Sequence, residues 1–462
     1  MRARLFLVPC LVVACGDNIH YGDLVSVGSE PAGANCQYGG VVIQTGSDTN
    51  GDGILEPSEV TGTSYVCNGS SAVVCEGGSI HQGTVSLQSD ADFAALAGVN
   101  CINGDLIITS VPDATFPALP DLSIVTGSVV VAANPAVTSL DALASVRKVG
   151  SGVVVEANQA LTSVGALAGL TQFGSISVVA NETLADLSGF EVFSDLHSSN
   201  LIIQSNPSLT SLHGLDNLTA VRGLSILSNP ALTSLDALAQ LRTAAVLEIS
   251  GNATLPTISL PGLQTVSVRL WMNQNASMTS VSLPVLTSLS DSIQWASDGA
   301  LQTISTPALI LTGSYLVQAD PSLMNISAPK LTIATVDVVL NTVPALATVD
   351  MTGLTTIGGS LQLVYAPALL DLSGLDHVNS LGRDLLVLGD DSLADFTGLG
   401  PIVSVPGNMT VSTNAQLTSF SGLSAMTEVG GNLLITSNPK LPLSVAQTFA
   451  SGITVRGSTT IQ

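Results

Sequence analysis

The sequence predicts an all-β chain wound into a solenoid of parallel strands, and three observations carry that reading. Near-copies recur: "NPAVTSLDAL" begins at Asn134, "NPSLTSLHGL" at Asn206 and "NPALTSLDAL" at Asn229. Aligned on that first residue, the frame falls at Val111, Asn134, Asn158, Asn181, Asn206, Asn229, Asn252, Asn275, Asp298, Asp320, Val343, Ala366, Asp390, Asn414 and Asn438, about fifteen coils of 22–25 residues. A sustained period of this size marks a stacked repeat. Within each unit apolar residues alternate, as in Leu224 and Ile226, Val129 and Val131, or Leu361 and Leu363. That is the period of a strand. A single coil cannot bury its apolar face alone, so copies must stack. The frame residue is Asn or Asp in twelve of the fifteen units, a residue type that bonds backbone at turns and can stack on the copy above. Proline often follows it and fixes the turn.

Composition agrees with a folded, exported chain. Apolar residues make up 46% and charged residues only 10% of 462, with Ser, Thr, Asn and Gly supplying the polar surface. This is far too apolar for a disordered chain. The net charge is −23, and the only lysines are Lys148, Lys330 and Lys440. Such a surface repels phosphate backbones, so no nucleic acid is expected as a partner.

Residues 1–14 read as a signal peptide. Arg2 and Arg4 precede an apolar run from Leu5 to Val13, too short for a bilayer span of roughly 20 residues. Val12-Val13-Ala14-Cys15 resembles the bacterial lipobox. That resemblance implies cleavage before Cys15, lipidation of its thiol and a tether over 15–24, leaving the chain exported and lipid-anchored at the outer membrane or cell surface. The alternative is an ordinary secretory signal with an incidental Cys15.

With Cys10 removed and Cys15 lipidated, Cys36, Cys67, Cys75 and Cys101 remain. An even number in an exported chain points to two disulfides. Three pairings are open; the domain organisation favours Cys36–Cys67 and Cys75–Cys101. A zinc site is disfavoured by the absence of C-x-x-C spacing. Residues 25–69, "CQYGGVVIQTGSDTNGDGILEPSEVTGTSYVCNG" at their centre, resemble a small uncharacterised domain of predicted bacterial lipoproteins, which offers no activity to carry over. The cysteines bracket a loop, Asp48 to Glu59, with the spacing of an EF-hand calcium site. Asp48, Asn50 and Asp52 would supply oxygens, Gly53 the bend, Ile54 its carbonyl, Glu56 a direct or water-mediated contact and Glu59 both carboxylate oxygens. The bound ion would be structural Ca2+, because no paired helix–loop–helix flanks it. A metal-free Asx turn is the alternative.

Residues 70–105 read as a cap, with Ser89-x-x-Asp92 starting a short helix near 90–98 and a Cys75–Cys101 bond fixing it. The repeats follow over 106–441. "GDLIITS", "LTSLDAL" and "GGNLLITSNPKL" resemble leucine-rich repeats and, more closely, the receptor L-domain repeats of bacterial surface proteins, over roughly residues 75–450. The resemblance implies a right-handed β-solenoid with little helix between coils. Over 252–350, "SLPGL", "SLPVL" and "APKL" replace "SLDAL", which predicts a different corner on an unbroken coil. Residues 442–462 form the closing cap, with a short helix at 444–450 and a last strand in "GITVRGSTTI".

No catalytic constellation stands out, so the sequence reads as a non-enzyme. The five histidines, His20, His81, His197, His213 and His377, show no ligand spacing, and no G-x-S-x-G elbow occurs. A polysaccharide-acting β-solenoid enzyme would need clustered carboxylates, whereas acidic residues here recur once per turn. Recognition of a protein or glycan is the better reading. The strand positions facing outward vary: Ser177, Ser225, Glu248, Trp271, Gln294 and Gln362. Trp271 faces out and Trp295 in; an exposed Trp can stack on a sugar or anchor a protein contact. The alternatives are a Trp covered by a neighbouring loop, and a passive envelope spacer.

Overall fold

The computed structural model describes residues 23–30, 40–47, 56–67 and 73–462. The chain divides into two units, 1–72 and 73–462. In the first, Asp23–Glu30, Gly40–Ser47 and Val60–Cys67 form an antiparallel three-stranded meander. Asp23 lies opposite Ser47, and Gly40 lies opposite both Glu30 and Cys67.

The second unit is a parallel β-solenoid of about 17 turns. Its main sheet runs from Val85–Leu87 to Thr459–Ile461, and every pairing within it is parallel and one coil apart. The two ends do not pair with each other among the described residues, so the sheet is open. The turn number exceeds fifteen because each cap carries a strand of its own: Val85–Leu87 at the start and Thr459–Ile461 at the end.

The alternation read from sequence is the one that buries. Leu224 and Ile226 lie in register with Leu201 and Ile203 on one side and Leu247 and Ile249 on the other, all fully buried. Adjacent rungs lie about 4.7–4.9 Å apart, so these aliphatic rows touch along the solenoid's length. The largest members are Trp295 and Tyr315, neighbours on successive coils with ring centroids 4.9 Å apart.

The other sides of the coil vary with local sequence. Corner glycines lead into short separate strands. A Cβ at Gly150 would stand 1.9 Å from the Thr126 carbonyl oxygen, and one at Gly382 would stand 1.8 Å from that of Gly358. Only glycine lets the coils approach so closely. In the middle coils, corner and main strand merge into long strands: Asp195–Gln204, Ala220–Leu227, Thr243–Ser250 and Thr265–Asn273. The third side is a 3₁₀ turn in several coils, such as Asp141–Leu143 and Asp236–Leu238. Over the stretch with altered corners it is instead a five-stranded parallel sheet, Thr257–Ser259, Ser280–Ser282, Thr303–Ser305, Asn325–Ser327 and Thr348–Asp350.

The caps match their sequence signals in kind. The first helix spans Asp90–Ala94, shorter than 90–98; the Asp92 carboxylate accepts the N–H groups of Gln88 and Ser89 at 3.0 and 2.9 Å. Those two backbone donors and the Ser89 hydroxyl hold the Asp92 carboxyl below the usual carboxylate range. Cys75 and Cys101 are disulfide-bonded, with Cα atoms 5.7 Å apart. The closing helix spans Leu443–Ser451. No helix among the described residues is long and apolar enough to cross a membrane.

The frame row is buried, not a solvated turn. Asn134, Asn158, Asn181, Asn206, Asn229, Asn252 and Asn275 are fully buried. Each Oδ1 accepts the N–H of the preceding frame residue, as Asn229 does from Asn206 at 3.1 Å. Each Nδ2 donates to a strand carbonyl one coil back, as Asn229 does to Ile203 at 3.0 Å. The residue before the frame is left-handed in every coil, with φ between 53° and 62° at the non-glycine positions from Ser110 to Ser437 and positive φ at Gly251 and Gly389. Asn or Asp one position later is thus reached by a tight αL corner that presents its side chain to the coil interior.

Candidate recognition surface

The central outward position of each main strand forms one continuous row. In register it reads Ser177, Ile202, Ser225, Glu248, Trp271, Gln294, Leu316, Val339 and Gln362. Ser225, Glu248, Trp271 and Gln294 therefore occupy four successive rungs, an uninterrupted polar and aromatic stretch. Ser177 stands apart between Val154 and Ile202, and Gln362 between Val339 and Leu386. All six are half-buried.

Trp271 does face outward, while Trp295 is wholly buried in the inner row. Arg269, two residues earlier on the same strand, lies over Trp271. Its guanidinium carbon sits 4.9 Å from the Trp271 ring centroid. Such stacking is worth about 0.5–2 kcal/mol, depending on solvation. Burial raises the Glu248 carboxyl above the usual range, and the nearby Arg269 charge pulls it partly back. A carboxylate, a guanidinium, an indole and an amide thus meet on three successive coils of a row that is elsewhere mostly aliphatic or hydroxyl-bearing. That set can donate and accept hydrogen bonds to hydroxyl groups and stack on a flat apolar face.

Arg269 was not among the residues singled out from the sequence. Its signal was its place two residues before Trp271, on the same outward face. A second polar row along the strand starts was likewise missed. The Asp337 carboxylate accepts the Ser360 N–H at 2.6 Å, that of Asp384 the Asn408 N–H at 2.6 Å, and Asn408 Oδ1 the Asn432 N–H at 2.9 Å.

The remaining sites fall unevenly on the described residues. Cys15, Cys36, Asp48, Asn50, Asp52 and Ile54 lie outside them, and with them the lipidation, the Cys36–Cys67 pairing and most of the calcium loop. Glu56 and Glu59 share the turn that leads into Val60–Cys67. The Glu59 N–H donates to the Glu56 carbonyl at 2.9 Å, and the Glu56 N–H to Glu59 Oε2 at 3.2 Å. Glu59 is buried and Glu56 half-buried. Among the described residues no three His, Cys, Asp or Glu side chains converge as a metal site. His213 is exposed at its turn, with Nδ1 2.9 Å from Asp216 Oδ2.

Fold and surface define a parallel β-solenoid joined to a small antiparallel domain. Residues 23–67 match the family model described as a domain of unknown function, DUF7151. No curated protein matches the chain.

Proposed function

We propose that this chain is a lipid-anchored cell-envelope protein whose solenoid offers the outer sheet face, centred on Ser225, Glu248, Trp271 and Gln294, to a protein or glycan ligand. The observation that carries the reading is the run of hydrogen-bonding and aromatic side chains on four consecutive rungs, set in a row that is elsewhere largely aliphatic. The likeness of the repeats to receptor L-domains supports it, as does the lipobox-like Val12-Val13-Ala14-Cys15. Cys15 would carry the lipid. The Asp48–Glu59 loop would hold structural Ca2+ through Asp48, Asn50, Asp52, the Ile54 carbonyl, Glu56 and Glu59. A passive rod of the envelope is the reading that competes.

The test is capture of ligand by the immobilised chain from envelope extracts and on glycan arrays, compared with Trp271→Ala and Glu248→Gln. The expected result is loss of capture by both variants at unchanged melting temperature. If the wild type captures nothing, or both variants capture as it does, the rod remains. For the anchor, Cys15→Ser should yield an unprocessed or soluble form; a variant still processed and membrane-bound would overturn it. For the loop, isothermal titration should show calcium heat that Glu59→Gln abolishes, and no heat at millimolar calcium would leave a metal-free turn.

A further inference from the structure

The buried frame row contains three residues that break its hydrogen-bonding rule. Nine asparagines use both ends of the amide. Asn275 Nδ2 donates to the Ile249 carbonyl at 3.0 Å, and Asn414 Nδ2 to the Val387 carbonyl at 3.2 Å. At Asp298, Asp320 and Asp390 the accepting half is kept. Asp298 Oδ1 accepts the Asn275 N–H at 2.7 Å, Asp320 Oδ1 the Asp298 N–H at 2.8 Å, and Asp390 Oδ1 the Ala366 N–H at 2.8 Å. The other oxygen of each, Oδ2, is buried and has no hydrogen-bond partner. It occupies the end of the side chain that in the asparagines is a donor aimed at a carbonyl. A carboxylate oxygen there would be an acceptor facing an acceptor in a site closed to water, which is strongly unfavourable. A carboxylic acid restores the donor.

We propose that Asp298, Asp320 and Asp390 are protonated in the folded solenoid, each donating Oδ2–H to the backbone carbonyl one coil back that the asparagines reach with Nδ2, so that these coils are held more tightly in acid than at alkaline pH. By the repeat's register the acceptors are the carbonyls of Met272, Trp295 and Leu363. Each carboxyl takes one proton from water as the chain folds and returns it when the coil opens.

Among the described residues, no cation bears on any of the three carboxyls. Asp298 faces Asp320 on the next coil, and Asp390 is beside Asp391; both neighbours disfavour ionisation. The frame positions on either side are Asn275, Val343, Ala366 and Asn414, none of which titrates. Tyr315, on the inner row of the same coils, is buried and kept neutral. Burial pushes Asp298 and Asp320 up to about 7 and Asp390 up to about 6. A carboxyl raised above its unfolded value, about 4, stabilises the fold fully below that pH; the contribution is lost progressively as pH rises from about 4 to the folded value of about 6 to 7, and no more is lost above it. Asp298 and Asp320 interact, so their two protons leave in shared steps.

The test is melting of the full chain between pH 4 and 8 for the wild type, the three single Asp→Asn variants and the triple variant. The wild-type melting temperature should fall as pH rises from about 4 to 7 and level off above that. Each variant, with its amide donor restored, should melt several degrees higher at pH 8, and the triple variant should lose most of the slope. Infrared spectra at pH 5 should show a carboxylic-acid C=O band, shielded from exchange, that the triple variant lacks. Variants that melt lower than wild type at pH 8, or a wild type without that band, would overturn the proposal. So would a wild type stabilised at pH 8 by a divalent cation through these residues and destabilised by chelator.

Discussion

At the scale of single residues, the αL corner and the asparagine that follows it are the repeat's signature. Asn229 shows what one rung contributes. Its Oδ1 takes the Asn206 N–H, and its Nδ2 serves the carbonyls of Ile203 and Leu227. Asn229→Ala leaves a buried N–H and a buried carbonyl without partners, at about 1–3 kcal/mol each. Chemical denaturation should show a loss of about 2–5 kcal/mol; a loss under 1 would mean the row is decorative. Ala180, at φ 54°, tests the corner. Val in place of Ala adds β-branching in a region that already costs an L-residue about 1–2 kcal/mol, so Ala180→Val should melt well below Ala180→Gly. The recurrence of Asn and Asp was legible in the sequence, and so was their tendency to bond backbone. Their burial was not, because turns that place Asn in water use the same residues. The orphaned oxygens of Asp298, Asp320 and Asp390 were equally hidden. In a sequence Asp reads as the equal of Asn, and only a closed environment separates an amide from a charge.

At the scale of elements, alternation decided which residues enter the core, and the strands obeyed it. Ile226 is fully buried while Ser225, one position earlier, faces out. Ile226→Asp should cost several kcal/mol by burying an unpaired charge. Ser225→Asp should stay within about 0.5 kcal/mol. Equal losses at the two positions would contradict the alternation. The altered corners over 252–350 were visible as "SLPGL" and "SLPVL", and the structure turns them into a third parallel sheet. The merging of corner and main strand over 195–273 was not foreseen. In "RTAAVLEIS" and "QTVSVRLWMN" it follows from the absence of a corner glycine of the kind at Gly150 and Gly382. On the candidate surface the same alternation points Ser225, Glu248, Trp271 and Gln294 outward, but it does not single out Arg269, which stacks on Trp271 from its own strand. At the N-terminal cap, the disulfide closes a separation of 26 residues around the helix and the first rung, Val85–Leu87. Replacing Cys75 and Cys101 by Ala should cost about 2–4 kcal/mol. Hydrogen exchange should localise the loosening to the first coils; uniform loosening across the array would mean the cap is not a separate element.

At the scale of the whole solenoid, each coil bonds only to the coils before and after it, so stability should be a sum of coils and their interfaces. This makes one coil removable, provided the cut respects the period. The segment Asn206–Ser228 is such a coil: Asn206 and Asn229 are 23 residues apart and hold equivalent places. Its excision joins Ser205 to Asn229, recreating the Ser-Asn-Pro corner found at both sites. The αL residue stays before the frame asparagine. Leu201 and Ile203 then meet Leu247 and Ile249 where Leu224 and Ile226 stood, and Asn181 meets the Oδ1 of Asn229. The shortened chain should fold with one cooperative transition only a few degrees lower. Excision of 206–217, about half a coil, is the smaller change by length but places a third-side segment where a frame corner is required. Its apolar rows no longer meet, and it should fail to fold or melt far lower. A sequence whose fold depended on long-range closure would respond in the reverse order, with the longer deletion doing more harm. Circular dichroism melts of the two variants decide between these outcomes. The in-register variant also bears on the outer face, since it removes Ser225 while leaving Glu248, Arg269, Trp271 and Gln294 on adjacent rungs. Capture of ligand should survive its loss if those four residues form the centre of the site.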